Sequence, residues 1–204
     1  MLTKLKIAAV AGIALTMGLA NTAVAFEPGD WLIRVGATNV DPKSDNHEVV
    51  SVDSAASLSL NFTYMMTDVW AVEVLAAYPF EHDIYLVGGG PKVATTKHLP
   101  PTVSLQYHFM PTSKFQPYVG LGINYTNFFS EKTMGPLDDL NLSLGDSWGL
   151  AGQIGFDVMI GENWFLNVDG RFINIESKAK LNGESIGTVK IDPMVYGAHV
   201  GFRF

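Results

Sequence analysis

From residue 31 to the end of the chain, bulky apolar side chains alternate with small or polar ones in eight separate runs. WLIRVGAT (31–38) sets Trp31, Ile33 and Val35 against Arg34, Gly36 and Thr38. The runs 57–65, 70–78, 102–109, 117–129, 147–160 and 164–172 repeat the pattern, and VYGAHVGFRF (195–204) closes it. Successive side chains of a β-strand point to opposite faces, so each run is a strand with one apolar and one polar face. Two closed architectures accept eight such strands. A soluble barrel turns the apolar face inward, and a membrane barrel turns it outward to lipid.

The second face chooses between them. Gly120, Gly122, Gly149, Gly155, Gly197 and Gly201 all share it, which suits a crowded narrow lumen and makes a poor water-facing exterior. Trp31, Trp70, Tyr107, Trp148 and Trp164 stand near strand ends, where interfacial aromatic girdles form. The connections also alternate in length: 66–68, 110–114 and 161–163 are short, whereas 41–55, 81–98, 130–146 and 176–189 are long. The expected fold is all-β: an eight-stranded antiparallel transmembrane β-barrel with short periplasmic turns and long extracellular loops.

The front of the chain agrees. Lys4 and Lys6 precede the apolar run 7–20, and Ala23-Val24-Ala25 follows as a small-x-small cleavage pattern. The run is shorter than the roughly 20 apolar residues that span a bilayer. Residues 1–25 are therefore expected to be a cleaved secretory signal peptide and 26–204 the outer-membrane barrel of a Gram-negative bacterium. Loss of the two lysines takes the formal charge from −7 to −9, and no basic stripe is present, which argues against nucleic acid. There is no cysteine, hence no disulfide framework or thiolate chemistry.

NFTYMMTD (61–68), VEVLAAYPFEH (72–82), KHLPPTVSLQYHF (97–109), SKFQPYVGLGINYTNFF (113–129), LGDSWGLAGQIGFDV (144–158) and the terminal VGFRF resemble the OmpW family of outer-membrane proteins. The resemblance implies an eight-stranded barrel with a narrow, unusually hydrophobic pore. It further implies passage of small hydrophobic compounds, with some members serving as phage or bacteriocin receptors.

Parity nominates the lumen. Arg34, Glu73, Gln106, Asn124, Gln153, Asp157, Asn167, Asp169, Arg171, His199 and Arg203 share the inward face. Arginines and carboxylates there should pair into a polar plug, because an unpaired buried charge costs several kcal/mol; an ion filter is the alternative use. Eight strands leave an interior that side chains fill, so a continuous aqueous channel is not expected.

A second inward set is apolar. Leu75, Ala77 and Pro79, with Leu99, Pro100 and Pro101 opposite, would form a hydrophobic funnel that narrows at Leu75. Prolines lack ladder donors, so Pro100 and Pro101 should open the wall and release cargo sideways into the bilayer. On residues alone, Leu75 as simple filling and the prolines as a strand end weigh equally; the resemblance favours transport. In the 136–148 segment, Asp138 is expected to cap a short helical turn with Leu137, Leu140 and Leu144 on one side.

Phe202 and Phe204 are read as a C-terminal insertion signal for the barrel-insertion machinery. The other expected partners are the bilayer, lipopolysaccharide and small hydrophobic ligands. Neither cofactor nor catalysis is expected: no serine elbow or HExxH occurs, His82 and Asp83 would point apart on a strand, and His47, His82 and His98 are dispersed. A structural or receptor barrel working through its loops, and a narrow ion pore, remain the competing functions.

Overall fold

The computed structural model describes residues 26–43 and 46–204; the signal-peptide reading of 1–25 lies outside the described residues. Fourteen strands run in chain order through these residues: β1 (Trp31–Asp41), β2 (Val50–Val52), β3 (Ala55–Met65), β4 (Trp70–Ala77), β5 (Phe80–Leu86), β6 (Lys92–Leu99), β7 (Thr102–His108), β8 (Phe115–Thr133), β9 (Leu142–Leu144), β10 (Ser147–Met159), β11 (Trp164–Ile173), β12 (Glu176–Leu181), β13 (Glu184–Lys190) and β14 (Met194–Arg203).

Eight of them make a closed antiparallel barrel in the order β1-β3-β4-β7-β8-β10-β11-β14. The last strand pairs with the first from Leu32↔Arg203 to Asp41↔Met194. Trp31 and Phe204 complete the seam, each amide donating to the other's carbonyl at 2.9 and 3.0 Å. Closure satisfies every edge, which strands in lipid require. The eight sequence runs are these eight strands.

Burial is inverted relative to a soluble protein. Leu121 and Leu150 are 76% and 74% exposed, whereas Arg34, Glu73 and Asp157 are fully buried. That pattern assigns the apolar face to lipid. Aromatic pairs mark both borders of the belt: Trp31–Tyr64, Trp70–Tyr107 and Trp164–Phe202 at the short-turn end, and Tyr125–Trp148 at the other. No described helix is long and apolar enough to cross a membrane; strands make the crossing.

The long connections are less irregular than expected. β8 continues past the Tyr125–Trp148 girdle to Thr133, and its extension offers an edge on which β6, β5 and β2 pair in turn. β13-β12-β9 form a separate small sheet beyond the same girdle. Backbone groups of a buried wall must find partners, and strand pairing supplies them. In the 136–148 segment the turn is a 3₁₀ turn over Gly135–Leu137, earlier than expected. Asp138 is its C-cap, donating its amide to the Gly135 carbonyl, and Met134 takes the N-cap position because Pro136 favours the start of the turn.

Candidate functional site

The interior is layered, and each layer follows from the inward parity of the barrel strands. At the short-turn end Phe26, Leu32, Met65, Ala71, Met159 and Phe165 pack into an apolar seal. Phe26 lies edge-on to the Phe165 ring at 5.3 Å.

Above the seal lies the charged layer. Arg34 Nε and Nη2 donate to Asp157 at 3.1 and 2.8 Å, and Nη1 reaches Glu73 at 3.3 Å. Glu73 also faces Arg171 Nη1 at 2.9 Å, and Arg171 Nε donates to Asp169 at 2.5 Å. Glu73, on β4, therefore bridges two arginines carried by β1 and β11. All five side chains are buried, so mutual pairing replaces the water they lose. Asn167 Nδ2 donates to Asp157 at 2.9 Å, and its Oδ1 faces His199 Nδ1 at 2.9 Å. His199 Nε2 continues to Ser59 at 2.9 Å and Ser59 to Thr38 at 2.7 Å. This chain of hydrogen bonds carries the polar layer upward.

Over it the lining turns apolar. Leu75, Ala77, Phe80, Pro100, Ile175 and Val195 surround a small cavity of about 10 Å³, with His98 at its upper side. Beyond His98 lies a larger cavity of about 70 Å³, walled by residues that include Ile84, Val93, Leu144, Ala179 and Val189. His98 lines both and stands between them.

The wall is interrupted beside the lower cavity. β4 and β7 pair up to Leu75↔Thr102, and pairing resumes only where β5 meets β6 at Phe80↔His98. Pro100 and Pro101 lie in this interval; the Pro101 carbonyl accepts from Tyr125 N at 3.0 Å and Asn124 Nδ2 at 3.2 Å. Pro101 is exposed and Pro100 buried.

The sequence-nominated residues are distributed as follows. Arg34, Glu73, Asp157, Asp169 and Arg171 converge in the charged layer. Gln106 is buried below it against His108 Nε2 at 3.3 Å, and Gln153 lines the lumen wall opposite Gly120. Arg203 stands apart, at the short-turn rim, 3.6 Å from Asp30 and 3.3 Å from the Glu162 carbonyl. Leu75, Ala77 and Pro100 line the lower cavity, whereas Pro79, Leu99 and Pro101 flank the break without lining it. Leu137 and Leu144 reach the upper cavity together with Leu142; Leu140 does not. Phe202 packs on Trp164, and Phe204 is exposed at the seam.

Sequence reasoning left out the apolar seal and the two cavity histidines. Leu32 shares the parity of Arg34, and Phe165 that of Asn167, so the seal was available to the same rule. In the sequence His82 and His98 stand dispersed, yet in the fold their rings stack at 4.9 Å. Strand pairing Phe80↔His98 and His82↔Thr96 brings them together, a register that no local signal encodes. His47 Nδ1 accepts from Val49 N at 3.2 Å, apart from that pair. Among the described residues no three His, Cys, Asp or Glu side chains converge as a metal site.

Comparison with known proteins follows the same architecture. The OmpW family profile matches residues 27–204. Outer membrane protein W of Vibrio cholerae serotype O1 is 39% identical, with 96% of this chain and 98% of the relative covered. Outer membrane protein W of Escherichia coli K12 is 41% identical over the same shares. The crystal structure of the outer membrane protein OprG from Pseudomonas aeruginosa superposes with a TM-score of 0.77 at 38% identity, covering 88% of this chain and 98% of that one.

Proposed function

Because this chain belongs to the OmpW family of outer-membrane barrels, we propose that it admits small hydrophobic molecules from outside the cell and passes them sideways into the bilayer. The observation that carries the reading is the order of the layers: apolar cavities lie above a salt-bridged plug and an apolar seal. A molecule entering from outside meets apolar walls as far as Leu75 and then a layer of paired charges. Displacing those charges costs several kcal/mol, so passage along the axis is opposed. In this reading the cargo leaves at the pairing break beside Pro100 and Pro101, next to Tyr125 of the outer girdle, into lipid, which is the favourable destination for an apolar molecule.

The same plug opposes the ion-pore reading, since Arg34, Glu73, Asp157, Asp169 and Arg171 hold one another rather than line a wet passage. The bilayer meets the apolar belt and lipopolysaccharide the outer rim. Phe202 and Phe204, at the closing seam, serve as the address for the insertion machinery.

Leu75→Arg tests the route. Entry of a small apolar fluorophore into Gram-negative cells should fall to the level of cells lacking the protein, with barrel insertion unchanged on a heat-modifiability gel. Equal entry with and without the wild-type barrel would instead favour a receptor or structural role carried by the loops.

A further inference from the structure

The upper cavity, as it stands, is smaller than the molecules it would have to hold. Its volume is about 70 Å³, whereas sites for small organic molecules run from roughly 300 Å³ upward. Part of its wall must therefore move before cargo can enter. Beyond the girdle that wall has three parts: β5 and β6 with β2, the β12–β13 hairpin, and the 134–146 segment, which holds the 3₁₀ turn and β9. The last part contributes Leu137, Leu142 and Leu144 to the lining.

The three parts differ in how firmly they are held. β6 is paired on both sides, by β5 and β8, and β5 by β6 and β2. β12 and β13 pair at six positions, from Glu176↔Lys190 to Leu181↔Glu184. β9 is an edge strand that pairs with β12 at three positions, Ala179↔Leu144, Lys180↔Ser143 and Leu181↔Leu142. Toward β8 its backbone is held through a side chain, Leu144 N donating to Glu131 Oε1 at 3.2 Å. No residue from 134 to 146 is fully buried. Segments with few buried contacts and few ladder bonds open before the rest of a fold.

The ends and the tip of the segment show how it can turn. Gly135 sits at φ +57°, a conformation that glycine enters and leaves without a side-chain penalty. At the other end Gly145 N donates to the Lys178 carbonyl at 3.0 Å. Between them Asn182 N donates to the Asn141 carbonyl at 2.8 Å, and Asn141 N donates to Asn182 Oδ1 at 2.7 Å. Asn182 lies in the β12–β13 turn, so this clasp fastens the segment to the facing hairpin. Asn141 is exposed, and water can replace both bonds at little cost.

We propose that the 134–146 segment is a lid. It turns about Gly135 and Gly145, releases the Asn141–Asn182 clasp, and admits cargo between β9 and the β12–β13 hairpin. Opening gives up the packing of Leu137 and Leu142 on Ile84, Val93 and Ala94. An apolar molecule restores that burial, so cargo itself favours its own admission. The inference rests on the transport reading of this cavity and names the way in.

The chain has no cysteine, so Asn141→Cys combined with Asn182→Cys introduces a single disulfide with no competitor. The two backbones touch at the clasp, which places the pair within disulfide reach. Entry of the apolar fluorophore into cells is compared with the pair oxidised and after an impermeant phosphine reductant. Oxidation is expected to cut barrel-dependent entry about tenfold, and reduction to restore it. Wild-type entry through a barrel whose thiols are fully oxidised would overturn the lid and leave the transport reading standing.

A second measurement does not depend on transport. In wild-type barrels in phosphatidylcholine vesicles at pH 7, the amides of Asn141, Leu144 and Gly145 should exchange at least about tenfold faster than those of β6, after correction for intrinsic rates. Exchange as slow as in β6 would overturn the lid, and this comparison decides even if the double variant fails to insert. Equal entry with and without the wild-type barrel would overturn the transport reading and cargo admission with it, however the lid amides exchange.

Discussion

At the scale of single residues, the charged layer depends on how few partners are shared among many charges. Glu73 alone touches both arginines, at 3.3 Å to Arg34 and 2.9 Å to Arg171. Arg34 retains Asp157 if Glu73 is lost, and Arg171 retains Asp169, but each is left with uncompensated donors in a dry interior. Glu73→Ala should therefore destabilise the barrel by about 3–5 kcal/mol, the usual consequence of breaking a buried pair from one side. The urea midpoint of refolding in lipid vesicles measures this, and a midpoint within error of wild type would refute the bridging role. Close packing extends to the glycines: a side chain at Gly36 would collide with the Ala198 carbonyl, so the β1–β14 seam needs glycine there. The inward direction of all these residues was legible from alternation. Their pairing was not, because Arg34 and Asp157 are 123 positions apart.

At the scale of elements, the β5–β6 hairpin beyond the girdle carries the pH-sensitive part of the molecule. Two aspartates near His82, Asp53 and Asp83, favour its proton, whereas His82 disfavours that of His98; β9, β12 and β13 present Leu144, Ala179 and Val189 from the far wall. Desolvation outweighs the aspartates, so both imidazoles titrate below their unfolded value of 6.5. An unfolded or opened hairpin then binds more protons than the folded one below pH 6.5, and its stability falls as pH drops from there toward about 3. By pH 4.5 the His98 contribution alone amounts to about 3 kcal/mol. Amide exchange should show β5 and β6 losing protection between pH 7 and 4.5, after correction for intrinsic rates, while β10 and β11 keep theirs. Unchanged protection across the hairpin would contradict it. The alternation within EHDIYL was present in the sequence, yet only the overlong β8 supplies the edge that turns it into wall.

At the scale of the whole molecule, the lipid-facing belt and the stoppered lumen are two consequences of one inverted pattern. Leu121 and Ile154 lie between the girdles and are largely exposed on the outer face. An arginine at mid-belt must be placed in hydrocarbon, so Leu121→Arg should cost about 2–4 kcal/mol of folding free energy in bilayers. The same change at Leu58, close under the outer border, should cost about 1 kcal/mol or less. Equilibrium refolding of the two variants would expose any error in depth: equal losses would mean that the belt is misplaced. The arrangement as a whole opens outward through apolar cavities and closes toward the short turns through charges and then hydrocarbon.

The sequence by itself determined the number of membrane strands, the lipid face, the end of the barrel that carries the short turns, and the residues that enter the lumen. These follow from a two-residue period, which is a local property of the extended chain. The tertiary structure alone decided which charges pair and that His82 and His98 share a cavity. Each of those depends on register between strands distant in sequence, and register is set by closure of the whole barrel rather than by any one segment.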